Sequence, residues 1–213
     1  MKKAIFFVAA LIGMATASAQ TNDFNNAVLY NNTYHSVRVH YGNWDLKTNP
    51  KLNLNSVNSG GASFVKGWVS RHQIPLFFET GAGFSFTAGD LFRHEDYGWG
   101  EKIGINALSI EAPFNLGFKI DFDNSFAIMP YAGLTARINL MGEVEWEYKD
   151  RYGKNEEDED LRFFQLGYQV GAMAVYNQIT FGLSYGVDFN DIYREDGDTA
   201  KNRIVKVSVG YNF

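Results

Sequence analysis

Six charged residues stand in stretches where polar and apolar side chains alternate: Arg38, Glu79, Glu111, Lys119, Arg137 and Lys206. Arg38 lies between Ser36 and His40 and against Val37 and Val39, and Glu111 lies against Ile110 and Ala112. Carboxylates and cations gathered into one narrow interior must pair or hydrogen-bond, because an unpaired buried charge is costly. The chemistry expected of them is therefore ion pairing, with Glu79 and Glu111 partnered by Arg38, Arg137, Lys119 or Lys206. A gated polar pathway is the functional alternative. A second grouping, His94 with Asp90, Glu95 and Asp96, has the residue types of acid–base catalysis. No strand-anchored serine accompanies it, and histidine beside acids is common in polar loops, so no catalytic residue is expected. The run Asn155-Glu156-Glu157-Asp158-Glu159-Asp160, preceded by Glu143, Glu145, Glu147 and Asp150, could hold a divalent cation or present an electrostatic patch. Consecutive like charges repel and rarely converge on one ion without glycine-set turns, so a solvated loop tip is the expectation, with no metal and no cofactor.

The elements that must position these residues are strands. From Arg203 to Phe213, the residues Arg203, Val205, Val207, Val209, Tyr211 and Phe213 share one face, and Ile204, Lys206, Ser208, Gly210 and Asn212 the other. An apolar face opposite a small, polar one suits lipid outside and a polar lumen inside. Asn177-Gln178 joins two such strands; if Tyr176 pairs with Ile179, the apolar residues coincide as far as Tyr168 with Val187. A second hairpin turns at 121–125, with Leu108, Ile110, Ala112, Phe114, Leu116, Phe118 and Ile120 on one face, and bulges are expected near Pro113 and Pro130. A third rises from about Ala62 to Val69, turns through Arg71-His72-Gln73-Ile74, and continues from Pro75 to Ala88. Its first strand mixes Phe64 and Trp68 with Lys66, which leaves the lipid-facing side open and suggests a bulge. A strand from about Thr33 to Trp44 and the carboxyl-terminal strand bring the number to eight. Short turns alternate with long loops at 45–61, 89–106, 142–161 and 190–201, the layout of an outer-membrane barrel with both termini in the periplasm.

Composition agrees. The chain has no cysteine, which excludes disulfides and thiol chemistry, and its formal net charge of −5 offers no basic footprint for nucleic acid. Lys2 and Lys3, the apolar run from Ala4 to Ala15 and Ala17-Ser18-Ala19 read as a signal peptide, 1–19, cut before Gln20, leaving 20–213 as one barrel domain. The expected fold is all-β: an eight-stranded antiparallel up-and-down transmembrane β-barrel.

With its strand layout, the block Ala107-Leu108-Ser109-Ile110-Glu111-Ala112-Pro113-Phe114, the strand Pro130-Tyr131-Ala132-Gly133 and the ending Val207 to Phe213, the chain resembles the outer-membrane β-barrel domain family of Bacteroidetes-type bacteria, including PorT-like proteins. The resemblance implies a bacterial outer-membrane location, contact with outer-membrane lipids, and a terminal signal at Val209, Tyr211 and Phe213 read by the barrel-assembly machinery. It specifies architecture better than activity. The leading functional expectation is a non-enzymatic structural or surface-interaction barrel with a filled polar lumen, meeting an extracellular ligand through external loops that carry Phe92, His94, Tyr97, Trp99, Trp146, Tyr148 and Tyr152. The alternatives are a lipid-modifying enzyme or a small gated channel. A lipocalin-like carrier fits less well, because its apolar face would turn inward.

Overall fold

The computed structural model describes residues 32–49, 54–70, 75–96, 99–122, 125–150, 153–191 and 199–213. The signal-peptide segment 1–19, the turn residues 71–74, Tyr97 and Tyr152 lie outside them. The strands are β1 (Thr33–Asn49), β2 (Val57–Val69), β3 (Leu76–Asp96), β4 (Trp99–Phe118), β5 (Ile120–Asp121), β6 (Phe126–Asp150), β7 (Gly153–Asp160), β8 (Phe164–Tyr176), β9 (Ile179–Asp188) and β10 (Thr199–Asn212). β5 prolongs β4 along β6, and β7 precedes β8 along the same partner, so the wall has eight strands. Each pairs antiparallel with the next, and β1 pairs with β10 to close the cylinder, which leaves no edge within the wall. Among the described residues no helix is long and apolar enough to cross a membrane.

Closure divides alternating residues into two environments. Leu116, Leu134, Phe181, Leu183, Val205 and Val207 point outward and are exposed, while Ser36, Glu79, Gln165 and Asn212 point inward and are buried. The two-residue turn Asn177-Gln178, with Asn177 at φ 52°, sets the β8–β9 register from Tyr176 opposite Ile179 to Tyr168 opposite Val187, as its apolar faces require.

Four local expectations are corrected. β2 has no bulge: its ladders to β1 and β3 run without a shift, and Phe64 and Trp68 face outward, with the Lys66 Nζ 5.2 Å from the Trp68 ring centroid. The lysine stem can lie along the wall while its charge sits over the indole, which reconciles a cation with an apolar face. Pro113 and Pro130 do not bulge either. Each lacks an N–H, and the ladder is interrupted there (between β3 and β4 at Pro113, between β4 and β5 opposite Pro130), but pairing resumes in the same register. The bulges lie at Leu91 in β3 and Leu140 in β6.

Thirdly, the stretches 89–106 and 142–161 are largely strand. β3 and β4 stay paired to Asp96 opposite Trp99, β4 and β6 to Gly100 opposite Lys149, and β6 and β7 to Asp150 opposite Gly153. β2 meets β3 no further than Ala88, and β8 meets β6 no further than Ile138, so the upper parts of β3, β4, β6 and β7 rise past their wall neighbours as a four-stranded sheet. The Leu140 bulge explains how this sheet keeps an apolar side. One extra residue sets the parity that sends Val144 inward and Glu143 and Glu145 outward; uninterrupted alternation would reverse them.

The fourth correction concerns the lumen, which is polar only in its middle. At the long-hairpin end Trp44, Leu46, Leu91, Ile105, Val144 and Ile204 form a buried apolar cluster. At the short-turn end Tyr34, Val69, Phe77, Met129, Met173 and Val175 form another. Charges confined between two apolar layers are screened from water on both sides, so the central belt must be satisfied from within.

Candidate functional site

That central belt is built from side chains projected inward by almost every strand of the wall. On one side Arg38 on β1 grips Glu79 on β3: Nη1 donates to Oε1 at 2.8 Å, and Nη2 donates to Oε2 in the second arm of the fork. The Tyr34 hydroxyl donates to Glu79 Oε2 at 2.8 Å, and Asn115 Nδ2 donates to Oε1 at 3.2 Å. Gln169 Nε2 then donates to Asn115 Oδ1 at 2.6 Å. A fully buried carboxylate is thus held by a guanidinium fork and two neutral donors, the arrangement that makes a buried charge tolerable. Gly67 makes room for it: a Cβ there would lie 2.1 Å from Tyr34 Cζ, so the phenol can cross the inner face of β2 only over a glycine.

On the other side Glu111 on β4 is shared. Arg137 Nε on β6 donates to its Oε1 at 3.1 Å, as does the Ser85 hydroxyl at 3.1 Å, and Lys206 Nζ on β10 donates to Oε2. Arg137 extends the network through Nη1, which donates to Gln165 Oε1 at 3.0 Å and to Asp188 Oδ2 at 2.8 Å. Asn202 Nδ2 donates to the same Asp188 oxygen at 2.9 Å. Between the two groups lies a cavity of about 80 Å³ bordered by Arg38, His40, Glu79, Glu111, Tyr131 and Lys206, with a smaller one of about 20 Å³ beside Arg137 and Asp188. These volumes suit a few water molecules rather than a continuous pore.

Of the six charges singled out in the sequence, Arg38 and Glu79 form one pair, and Glu111, Arg137 and Lys206 form a triad. Lys119 joins neither carboxylate: it is buried near the short turn with its Nζ 2.7 Å from Asp121 Oδ1. Its place just past the end of β4, level with Met129 in the apolar layer at the short-turn end, keeps it from the central belt. Sequence reasoning missed Asp188, Tyr34, Asn115, Gln165 and Asn202 as partners. All five share the inward parity of their strands, which was the signal that could have found them.

The other groupings gather no comparable chemistry. The backbone of His94, Glu95 and Asp96 lies in β3, but their side chains lie outside the described residues, as do those of Trp99, Trp146 and Tyr148. Asp90 pairs with Lys102, Nζ to Oδ1 at 3.2 Å. The acidic run is strand β7, which places Asp160, Asp158 and Glu156 opposite Glu143, Glu145 and Glu147. Like charges directly opposite one another weaken a ladder, which makes this hairpin a poor source of stability for the wall.

A closed eight-stranded wall with an apolar outer band and its interior charges paired is a membrane-spanning architecture, and one comparison decides the family. The family model of the outer membrane protein beta-barrel domain matches residues 7–213. The chain belongs to that family. No curated protein is recognisably similar to this outer-membrane barrel in sequence. Among solved structures it is similar to a major outer membrane protein of Thermus thermophilus, with 14% identity over 85% of this chain and 99% of that one and a TM-score of 0.46. Ail, the attachment invasion locus protein of Yersinia pestis, shows 14% identity over 85% of this chain and 99% of Ail, with a TM-score of 0.43. Neisserial surface protein A shows 10% identity over 85% and 97%, with a TM-score of 0.45.

Proposed function

We propose that this outer-membrane barrel is a sealed, non-enzymatic structural protein that presents its raised sheet at the cell surface for interaction with an extracellular ligand. The observation that carries this reading is the pairing of β3, β4, β6 and β7 beyond the rest of the wall. Those residues are not needed to close the cylinder, and a paired sheet holds its backbone in place as an unpaired loop would not. The interior offers a gated pathway little support, since two apolar layers bracket a belt whose charges already satisfy one another.

In this reading the long hairpins face outward and both termini lie in the periplasm, in line with the short turns of outer-membrane barrels. Val209, Tyr211 and Phe213 serve as the terminal signal for the barrel-assembly machinery, and the blocks at 107–114 and 130–133 favour the PorT-like, Bacteroidetes-type branch. An epitope inserted between Arg151 and Tyr152 should be reached by antibody on intact cells, and one inserted between Asp123 and Asn124 only after the outer membrane is opened. The reverse pattern would overturn the orientation. Removal of 147–156 should leave heat-modifiable folding intact and reduce surface binding; loss of membrane assembly instead would make the hairpin structural.

A further inference from the structure

Three cations stand on the outer face of the wall where its first and last strands meet, beyond the apolar band at the long-hairpin end. In the β1–β10 register Lys47 is directly opposite Lys201, and Arg203, the next outward residue of β10, is opposite Asp45. Leu46, Asn202 and Ile204 alternate with them and are buried inside, so the three cations lie on the membrane side. Lys47 and Lys201 are exposed and Arg203 is half-buried. Among the described residues none of the three has a carboxylate within ion-pair distance. Val205 is the next outward residue of β10 toward the middle of the wall, paired to the outward Tyr185, and with it the apolar band begins. The cations therefore stand where hydrocarbon gives way to headgroups.

Two lysines directly opposite across a ladder repel each other, a cost that an anion between them turns into a gain. Side chains in this relation leave their Cβ atoms about 5 Å apart, and flexible stems bring both ammonium groups onto one phosphate, while a diagonal arginine can fork onto its remaining oxygens. We propose that Lys47, Lys201 and Arg203 form a site for the phosphate-bearing headgroup of an anionic lipid in the leaflet at the long-hairpin end. A zwitterionic headgroup brings its own cation and competes poorly. The site requires only that the wall spans a bilayer, whichever compartment the hairpins face; its absence would leave the surface reading untouched.

The full-length barrel, folded in mixed micelles and released for native mass spectrometry, should retain phosphatidic acid over phosphatidylcholine. The triple variant K47Q/K201Q/R203Q, checked for folding by gel mobility, should lose that preference by about tenfold or more. K66Q, near the other end of the wall, should keep it. Inorganic phosphate at millimolar concentration should not displace the lipid; displacement would mean a free-phosphate site and overturn the proposal. In refolding titrations K201Q alone should stabilise the barrel in phosphatidylcholine vesicles, where repulsion is relieved, and destabilise it when phosphatidic acid is added. Equal lipid retention by wild type and the triple variant, or the same sign of effect in both vesicles, would refute the site.

Discussion

Glu111 is the residue on which the interior turns, because it accepts from β3, β6 and β10 together. Replacing it with glutamine leaves Arg137 and Lys206 without their common counter-charge, a loss on the order of 3–5 kcal/mol for a buried pair broken on one side. A double-mutant cycle of E111Q with R137M should report coupling on the order of 1 kcal/mol or more in bilayer refolding titrations. Additive effects would show instead that water in the central cavity satisfies whichever group remains. Inward parity makes Arg38, Glu79, Glu111, Arg137 and Lys206 legible in the sequence as residents of one interior. Which of them touch is another matter: contact depends on height within the barrel, which follows from the stagger between strands and leaves no trace in local alternation. Lys119 has the right parity and the wrong height, whereas Asp188, at the far end of β9 from the short turn, has the height that brings it to Arg137.

Among the elements, the lipid-facing positions are the most constrained. Arginine at Leu116 or Leu183, both well exposed on the outer wall, should cost about 2–4 kcal/mol near the midplane, whereas arginine at Gly186 faces inward and should act by crowding Tyr168 and Gln169. Comparable tolerance at all three positions in vesicle refolding would mean that the two faces are misassigned. The bulge in β6 yields a sharper test. Deleting Leu140 removes the extra residue and returns the strand to plain alternation with the same faces in and out, so the variant should still fold and show heat-modifiable mobility. Deleting Thr135 from the regular part of the same strand should abolish folding, since it inverts every residue on one side of the cut. Alternation also explains which elements are readable from sequence. The β8–β9 hairpin can be registered from its residues because only one pairing superposes the apolar faces. The raised part of β6 reads as loop because its outward residues are glutamates, although Val144 and Trp146 between Glu143, Glu145 and Glu147 keep the period of two.

For the molecule as a whole, the two apolar layers and the belt between them act as three barriers in series. Wild-type protein in planar bilayers should show no large, stable conductance. Hollowing the short-turn layer with F77A and M129A should leave it closed, because the belt and the far layer remain. Conductance from that variant alone would place the whole barrier in one layer and contradict the arrangement in series. The belt has one more property, which concerns time rather than space. Glu79 finds Arg38 within the first three strands, but Glu111 waits for Lys206, a partner 95 residues later, and Asp188 waits for Asn202 on the same final strand. A chain halted before its last strand would leave Glu111 without Lys206 and Asp188 without the Asn202 amide, the two carboxylates sharing Arg137 as their cation beside hydrocarbon, with the edges of β1 and β9 open as well. Partial products are thus the least tolerable state in the membrane, and the finished cylinder is its own proof of completion.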